Sequence, residues 1–383
     1  MILGDLGADV VKIENPVGGD DTRRWGPPYV GTESAYYLCA NRNKKSMAID
    51  ISTAEGQQLV RRLAVDADVL VENYKLGGLQ KFGLDHASLS ALNPRLIYCS
   101  ISGYGRVSPL AARPGYDYVI QAEGGLMSVT GPAEGEPMKV GVAVADLYTG
   151  MAAAQAILAA LIAQARDGVG QHIDMALFDC QLAMLANVGA AFLASGETPP
   201  RLGNGHPTVV PYQLFATNDG STVIAVGNDR QFAAFCKGPL ARPELAEDAR
   251  FATNDARVTN RAALIPLLAA RIAEETTDFW LQGLRAAGIP CGEVRTVGEA
   301  LRSPEAVARD MVATLSSGTA GQEVEIVASP LKLGETPTVA GTMPPRLGEH
   351  TEALLSERLG LSGREIAELR AAGALGRSKG PTD

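Results

Sequence analysis

The sequence predicts an α/β protein, with a doubly wound parallel sheet in a large domain and a second, smaller α+β domain. Short runs rich in β-branched residues alternate with segments of helical period through the first half of the chain, as in parallel βαβ units. At residues 199–211 the composition changes to four prolines and two glycines, which is typical of a domain boundary. We therefore expect the large domain at 1–198, the small domain with its linkers at 199–311, a return to the large domain at 312–375 and a frayed tail at 376–383.

The elements of the large domain follow from local patterns. Runs with β-branched residues predict strands, and apolar residues with a period of 3.6 predict helices. The predicted strands are Ala8–Glu14, Ser46–Ile51, Asp68–Tyr74 and Arg95–Gly105. The predicted helices are Thr53–Ala67, residues 77–83, residues 116–132 and Asp146–Arg166, after which residues 170–179 form a strand and a helix. Ligands of such sheets lie beyond the carboxyl ends of the strands, so the residues that follow the third and fourth strands are expected to line the site.

The second domain and the ends of the chain follow from the same patterns. The predicted elements are strands at 212–217 and 221–227, helices from about Asp229 to Ala287, and a strand at 289–297. Residues 323–334 and the helices after His350 are expected to complete the large domain. The chain opens on what resembles the last turns of a helix leading into a strand, so we expect further residues to precede Met1 in the native protein.

Composition narrows the class of protein. The chain has 383 residues, 46% hydrophobic and 20% charged, as in ordinary globular proteins. Its formal net charge is −9 without a basic stripe, so no nucleic-acid partner is expected. The five cysteines and four histidines are scattered, which argues against disulfides or a metal site and favours a reducing cytoplasm. The apolar run after Asp146 is too short for a membrane span, so we expect a buried helix and no membrane contact.

Glycine-rich stretches give little support for a bound nucleotide cofactor. A dinucleotide-binding fold needs GxGxxG between a strand and a helix, so that the backbone can approach the pyrophosphate. The stretches "GYGRVS" and "GNGHPT" contain only the first two glycines, and the sequence has neither a Walker lysine motif nor a GxSxG elbow. A hydride-transferring NAD enzyme and an α/β-hydrolase are therefore disfavoured.

The stretch "GVAVADLYTG" holds a single acid, Asp146, directly before a long helical pattern. Asp is a preferred N-cap and its charge complements the helix dipole, so a structural cap is one interpretation. A carboxylate at the same place is also able to attack an activated acyl group and form a covalent intermediate. The small flanking residues leave space for a substrate. The two roles are compatible, and these residues alone do not separate them.

Ten stretches together resemble one known family, from Met1 to about Leu375. They are "MILGDLGADVVKIENPVGGDDTRRW", "NRNKKSMAIDI", "ADVLVENY", "GLQKFGLD", "NPRLIYCSISGYG", "RPGYDYVIQAEGGLMSVTG", "GVAVADLYTG", "GVGQHIDMALFD", "IPCGEV" and "LGEHTE". In this order they resemble the class III coenzyme A transferases, the group that contains formyl-CoA transferase, carnitine CoA-transferase and α-methylacyl-CoA racemase. The stretches "GNGHPTVVPYQLFATNDG" and "VGNDRQF" are similar to the succinyl-CoA:glutarate CoA-transferase-like subgroup.

The resemblance implies a Rossmann-like CoA-binding domain, an interlocked homodimer and a nucleophilic role for Asp146. The aspartate attacks an acyl-CoA to give a mixed anhydride and CoA thiolate. The thiolate then forms an aspartyl-CoA thioester, and an acceptor acid reverses the sequence to leave as the new acyl-CoA. CoA and acyl-CoA are thus substrates, a small carboxylic acid is the other partner, and no cofactor is bound permanently.

The resemblance also implies seven CoA-contacting positions. They are Arg23, Asn73, Tyr74, Lys75, Lys81, Tyr116 and Asp117. The alternatives are a solvated helix face for Lys75 and Lys81, a core position for Tyr116 and a structural role for Arg23. Asn15 stands where several relatives carry an arginine for the CoA phosphates, so that contact is expected to be lost or supplied elsewhere.

Two other functions remain open. Racemases of this family use a histidine and an aspartate as a proton-transfer pair, and Tyr116 stands in place of that histidine. A tyrosine with a pKa near 10 is a poor base at neutral pH, so the transferase is favoured. The second alternative is a CoA-binding protein without catalytic activity.

One substrate is expected to be a dicarboxylic acid such as succinate or glutarate, free or as its CoA ester. The subgroup resemblance suggests it, and the second carboxylate of such an acid needs a cation or several hydrogen-bond donors. The candidate residues are Arg201, Asn204, His206 and Arg230. The alternative is that the arginines are surface charges and that His206 forms hydrogen bonds within its loop.

Overall fold

The computed structural model describes residues 1–316, 323–339 and 341–375, and the predicted frayed tail at 376–383 lies outside the described residues. Within the described part the strands are β1 Val10–Glu14, β2 Tyr29–Val30, β3 Glu33–Ser34, β4 Lys44–Ala48, β5 Val69–Glu72, β6 Ile97–Ser102, β7 His172–Ala176, β8 Tyr212–Ala216, β9 Ser221–Ala225, β10 Cys291–Glu293, β11 Val312–Ser316 and β12 Glu323–Val327.

The α-helices are, in chain order, α1 Ile2–Asp5, α2 Ala35–Leu38, α3 Ala54–Val65, α4 His86–Leu92, α5 Asp117–Glu123, α6 Leu126–Val129, α7 Val144–Asp167, α8 Leu177–Met184, α9 Ala186–Ser195, α10 Asp229–Lys237, α11 Glu244–Glu247, α12 Asn254–Thr259, α13 Arg261–Ile272, α14 Thr277–Ala286, α15 Val297–Leu301, α16 Pro304–Ala308, α17 Thr351–Leu359 and α18 Gly363–Ala371. Two short 3₁₀ helices cover Asp21–Arg24 and Gln80–Phe82.

The chain divides into two compact units. Unit 1 comprises Met1–Ile120, Ala143–Met184 and Leu301–Asp383, and unit 2 comprises Gln121–Val142 and Leu185–Ala300. The predicted boundary at residue 199 follows a change in composition, whereas the helices α6 and α9, which precede that residue, group with unit 2. Sequence composition marks where the chain turns, but it does not record which unit a short helix packs in.

Parallel strands form two ladders in unit 1. β5, β6 and β7 pair in that order, and β1 pairs with β4, all of them parallel. The prediction of parallel βαβ units is therefore confirmed, and the structure is a mixed α/β fold. No strand in the described residues pairs with both ladders, so their hydrogen bonds do not join them into the single doubly wound sheet that the sequence predicts.

The central strand β6 is buried on both faces. On one face, Cys99 packs with Ala153 and Ile157 of α7, and on the other face Tyr98 packs with Leu89 of α4. A parallel strand covered on both faces favours consecutive apolar residues, and residues 96–99 are apolar and buried. Burial of each large aliphatic side chain contributes about 1.5–3 kcal/mol, so the helices are held against the sheet mainly by apolar contact.

Two glycines fix the loop that follows β6. A Cβ atom on Gly103 would lie 2.7 Å from the Cα atom of Gly115, and the reverse distance is also 2.7 Å. Only glycine allows two backbones to approach so closely. The segment that leads into α5 is therefore pressed against the carboxyl end of β6, which is the edge of a parallel sheet where ligands bind.

Helix α7 is long, apolar and only partly buried. Its buried side carries small residues and Ile157. The opposite side exposes Tyr148 and four large non-aromatic apolar residues, namely Leu147, Met151, Leu158 and Ile162. This helix is long and apolar enough to cross a membrane by length and composition alone, and the bent pair α8 and α9 passes the same test when taken together. The prediction of a buried helix holds for one face only, because small side chains on that face meet the sheet and the other face is exposed in the part of the chain that the structure describes.

Unit 2 is an α+β unit with its own core. Its antiparallel strands follow the order β10-β9-β8, and the helices α10 to α14 supply most of the apolar partners. Arg257 lies wholly inside this core, where it donates hydrogen bonds to the carbonyl oxygens of Val210 and Phe251 and forms an ion pair with Asp229. The strands and helices predicted for this stretch are thereby confirmed as elements of one unit.

Candidate active site

The first turn of α7 is capped from outside the helix. Its N-cap residue, Ala143, makes no side-chain cap. The Asp117 carboxylate, at the start of α5, accepts the backbone N–H of Ala145 at 2.8 Å and, more weakly, that of Asp146 at 3.4 Å. An acid is favourable there, because the first amides of a helix are unpaired and its dipole is positive at that end. The interpretation of Asp146 as the N-cap is therefore wrong, since the Asp117 carboxylate accepts the hydrogen bonds of these first amides.

Asp146 lies in the first turn of α7 with its side chain accessible to solvent in the single chain. Nearby protein nevertheless raises the pKa of its carboxyl, first by partial desolvation and second through the negative charge of Asp117. The Asp146 carboxylate is thus accessible to solvent on one side and partly desolvated by protein on the other. A raised pKa makes the carboxylate more basic, and hence a better nucleophile, as long as it stays ionised.

An aromatic pair that the sequence does not single out lies near Asp146. Burial raises the pKa of the Tyr36 phenol, and the charge of Asp146 is the next cause, so the two groups are within electrostatic reach. Tyr36 packs edge-on against Trp25 with ring centroids 5.1 Å apart, and both rings are about half exposed. Such rings are suited to contact an apolar part of a substrate. Eleven positions separate the two residues in the chain, so only the fold reveals the pair.

Tyr116 precedes Asp117 and is 70% exposed. The alternative of a core aromatic is therefore not what the structure shows. Its neighbour Tyr118 is 58% exposed, so this segment presents two phenol rings to solvent in the single chain. Tyr116 thus remains able to contact a substrate, whereas the Asp117 carboxylate accepts hydrogen bonds from the start of α7.

A cleft opens beyond the carboxyl end of β5. It encloses about 190 Å³ between the loop at residues 75–80 and a set of side chains that includes Asp85, His86, Tyr98 and Arg106. Lys75 and Arg106 bring positive charge to the cleft, while Glu72 and Asp85 bring negative charge. Arg106 and His86 were not predicted from the sequence, because Arg106 lies in another loop, His86 begins α4, and neither belongs to the "VENYK" stretch or to another motif.

The predicted helix at residues 77–83 forms only as the 3₁₀ turn Gln80–Phe82. Gly77 and Gly83 adopt left-handed backbone conformations, which end helical geometry on either side. Lys81 projects from this turn with its ammonium 4.6 Å from the centre of the Phe82 ring, and it does not line the cleft. Asn73 and Tyr74 are exposed beside the cleft.

Two histidines stack beside the cleft. The rings of His86 and His172 lie 4.6 Å apart and nearly parallel, and His172 shares a hydrogen bond of 2.9 Å with the Ser100 hydroxyl. Burial is the main cause that lowers the pKa of both rings, and Arg106 adds to it. Both rings are therefore favoured in the neutral form. Among the described residues no group of three or more His, Cys, Asp or Glu side chains is arranged to hold a metal ion.

Arg23 lies in a buried network. Its guanidinium donates to both carboxylate oxygens of Glu14, to Glu33 at 2.8 Å and to the Tyr37 hydroxyl at 2.6 Å. It also donates to the carbonyl oxygen of Pro345. An arginine that is 6% exposed and surrounded by acceptors of its own chain has no donor facing solvent. The structure thus favours the structural alternative for Arg23 over a contact with CoA.

The four candidate residues for a second carboxylate lie in unit 2. Arg201 donates to the carbonyl oxygens of Pro132 and Gly135, and the His206 ring stacks on Tyr212 while its Nδ1 accepts the N–H of Thr208. These contacts order the loop. Asn204 and Arg230 are exposed, and the side chain of neither forms a hydrogen bond or an ion pair with another described residue. Arg230, in the first turn of α10, is therefore the cation of this set that is best placed to meet a ligand.

Comparisons with known proteins identify the family of this chain. The profile of CoA-transferase family III matches residues 1–351. The chain is 44% identical to a succinate–glutarate CoA-transferase of Agrobacterium fabrum, over 93% of this chain and 90% of that protein. It is 42% identical to the human succinyl-CoA:glutarate CoA-transferase, over 98% of this chain and 85% of that protein.

A solved structure shows the same fold. The crystal structure of a CAIB/BAIF family protein from Brucella suis superposes with a TM-score of 0.82 at 48% sequence identity, and 93% of each chain is covered. The predicted family and the predicted subgroup are confirmed by these matches. Since the family profile spans most of the chain and full-length relatives exceed 40% identity, the chain belongs to CoA-transferase family III and is a CoA-transferase.

Proposed function

We propose that this enzyme transfers CoA from succinyl-CoA, or a similar acyl-CoA, to a small carboxylic acid, with Asp146 as the nucleophile. The arrangement at α7 carries the proposal: Asp117 satisfies the first amides of the helix, so the Asp146 carboxylate stays accessible to a substrate. The raised pKa of Asp146 supports the same role. The names of the relatives, which refer to succinate and glutarate, support the substrate class.

The proposed reaction exchanges one activated carboxyl group for another. An Asp146 oxygen bonds to the acyl carbon of the donor, the carbon–sulfur bond breaks, and CoA leaves as the thiolate. The thiolate attacks the aspartyl carbonyl, and the donor acid leaves as a carboxylate. The acceptor carboxylate then repeats both steps in reverse. Every bond broken is matched by one of similar energy, so neither ATP nor a permanently bound cofactor is needed.

We place part of CoA at the cleft beyond β5, next to Asn73 and Tyr74. Lys75 and Arg106 line this cleft and are able to meet phosphate oxygens as cations, whereas Lys81 packs on Phe82. Replacing Lys75 by alanine is expected to raise the KM for the acyl-CoA roughly tenfold, with a smaller change in kcat. Initial rates at varied acyl-CoA concentration measure both constants.

The matched comparison is Lys81→Ala, which removes the same charge from the neighbouring turn. It is expected to change KM less than threefold, as is typical of an exposed charge that makes no direct contact. The contribution of Lys75 should also shrink at high salt, because both partners are solvent-exposed. A larger effect of Lys81→Ala than of Lys75→Ala would place CoA outside this cleft.

For the acceptor acid we propose a dicarboxylate whose second carboxylate is recognised by Arg230 of unit 2. A carboxylate bound in a partly dry site needs a charged donor, and Arg230 is the candidate without a partner among the described residues. The wild-type enzyme should use glutarate at least about tenfold more efficiently than pentanoate, which has the same chain length and one charge fewer. Arg230→Ala should raise the KM for glutarate by about tenfold and leave that for pentanoate unchanged.

The control for this comparison is Arg250→Ala. Arg250 is an exposed arginine of the same unit that is already paired with Asp248. Its loss should affect both acids equally. Rates of transfer from succinyl-CoA to varied concentrations of each acid give the KM values. A wild-type preference for pentanoate would rule out the dicarboxylate assignment. Asn204 and His206 are secondary candidates, and the internal hydrogen bonds of Arg201 make it the least suited of the four.

We further propose that the enzyme is a homodimer, interlocked as the family resemblance implies. The exposed apolar stripe of α7, formed by Leu147, Met151, Leu158 and Ile162, supports this, because several exposed large apolar side chains on one helix face are typical of surfaces that are covered by another chain. A monomer in light scattering would rule out the homodimer.

We place the enzyme in the cytoplasm because its cysteines are free thiols, as expected in a reducing compartment.

A further inference from the structure

We propose that the Asp117 carboxylate shifts the balance at Asp146 from the free carboxylate towards the acylated residue, while its hydrogen bonds hold the start of α7 in place. Asp117 is thus a positioning residue that also acts through its charge. The inference rests on the proposed role of Asp146 as the nucleophile, and it goes beyond that role because it assigns a function to the charge of Asp117, separate from any contact with substrate.

The geometry of the contact is the first support. A helix whose N-cap is Ala143 has no acceptor of its own for its first amides. Asp117 supplies the acceptor from α5 with one oxygen, Oδ1, which receives the N–H of Ala145 and lies 3.4 Å from the N of Asp146. A neutral amide oxygen would fill this structural role as well, because Asn caps helices about as well as Asp. The negative charge is therefore not needed for capping.

The charge has a separate consequence. Asp146 and Asp117 are two acids at one helix end, and the like charge of Asp117 disfavours the ionised form of Asp146. Asp117 is the charged group in the described part of the chain that contributes to the raised pKa of Asp146, after burial. Tyr36, on α2, is within electrostatic reach of both acids, and burial raises the pKa of its phenol, so this group is uncharged at neutral pH.

Acylation removes one of the two facing charges. In the first step an Asp146 oxygen bonds to the acyl carbon and the electron pair of the broken carbon–sulfur bond leaves on sulfur. In the second step the sulfur bonds to the aspartyl carbon and the pair of the broken carbon–oxygen bond leaves with the donor acid. The Asp146 carboxyl group itself carries no charge in either the anhydride or the thioester, whereas the free carboxylate is an anion. Repulsion from Asp117 therefore raises the free energy of the unacylated enzyme only, which favours the covalent intermediates.

The deciding variant is Asp117→Asn, which keeps the acceptor and removes the charge. Wild type and variant are equilibrated with succinyl-CoA, quenched in acid and measured as intact proteins by mass spectrometry. The ratio of acylated to free chain should fall roughly three- to tenfold in the variant, which is the size expected for a like charge at a partly exposed site. The acid limb of its pH–rate profile should also move to lower pH, because Asp146 loses the neighbour that raises its pKa.

A purely structural role predicts a different result. In that case Asp117→Asn would behave as wild type in both measurements and only Asp117→Ala, which loses the acceptor, would lose activity together with about 1–3 °C in melting temperature. Asp117→Glu should restore part of the acylated fraction that Asp117→Asn loses. Asp50→Asn is the matched control, since Asp50 also accepts a backbone N–H at the entry to a helix, from Ser52, and lies in the same unit.

The outcomes separate this inference from the proposed function. An unchanged acylated fraction and an unmoved acid limb in Asp117→Asn would overturn the role of the charge and leave Asp146 as the nucleophile. Failure of the wild-type enzyme to form any acylated chain would overturn the nucleophile assignment, and this inference with it. A drop in the acylated fraction of equal size in Asp50→Asn would also overturn it, because the effect would then be a general consequence of net charge.

Discussion

Replacement of Asp146 by asparagine or alanine is expected to reduce CoA transfer by at least about 10³-fold, because both variants lack the oxygen nucleophile on which each half-reaction depends. The side chain is accessible and caps nothing, so its loss should leave the fold in place. Transfer from succinyl-CoA to glutarate measures the loss. Wild-type enzyme treated with acyl-CoA and then hydroxylamine should carry a modification at Asp146, and peptide mass spectrometry locates it.

Stability gives this experiment an internal control. The pKa of the Asp146 carboxyl is raised above its usual value of 3.8 in the folded chain, so the folded state favours the protonated form. The ionised residue therefore destabilises the fold at neutral pH, and Asp146→Asn should melt no lower than wild type. Any gain in melting temperature should fade as the pH is lowered towards 3.8.

Activity of Asp146→Asn or Asp146→Ala near the wild-type level, or a label on Cys180 or Cys291, would refute the assignment of Asp146 as the nucleophile.

The parallel strands and the long helix of unit 1 follow from the sequence because their signals are local. β-Branched runs and a period of 3.6 over twelve or more residues outweigh other preferences, as at α3 and α7. The interruption between the two parallel ladders is not a local property, since it depends on which strands meet in space. The assignment of α9 to unit 2 depends in the same way on tertiary packing rather than on composition.

The site was predictable where chemistry lies in one stretch of chain and unpredictable where it is assembled from several. Asp146 is marked by its position before an apolar helix, and the family resemblance singles it out. Its cap could not be assigned correctly, because Asp117 is 29 positions away and reaches the helix only through the approach of Gly103 and Gly115. The same holds for Arg106, in a loop, and for the stacked histidines, which begin α4 and β7, because these three residues come from separate parts of the chain.

Arg23 illustrates how a motif match and a structural role are distinguished. Arg23 stands close to acidic residues in "GGDDTRRW" and matches an arginine position of the family. This pattern is compatible with a phosphate contact as well as with a buried ion pair. Its surroundings decide the matter. Glu14 and Arg23 are 4% and 6% exposed, and their bidentate pair also receives the Ser46 hydroxyl and the N–H of Asp20, so every partner is internal. Removal of Arg23 should therefore lower the free energy of unfolding.

Arg23→Ala is expected to destabilise unit 1 by about 3–5 kcal/mol, because it leaves the buried Glu14 carboxylate without its cation. Urea unfolding measures the loss, and Arg24→Ala is the matched control, since the Arg24–Asp21 pair is exposed and should contribute less than about 1 kcal/mol.

The pH dependence of that loss identifies its cause. Burial raises the pKa of Glu14, but the hydrogen bonds from Arg23, Ser46 and the N–H of Asp20 outweigh burial, so the net pKa lies below the usual 4.5. The pair therefore contributes its full stability above pH 4.5 and loses it as the pH falls, and the gap between wild type and Arg23→Ala should narrow in acid. The KM for acyl-CoA of the folded variant should stay at the wild-type value. A stable variant with a raised KM would instead assign Arg23 to CoA, which requires the guanidinium to leave Glu14 when the substrate binds.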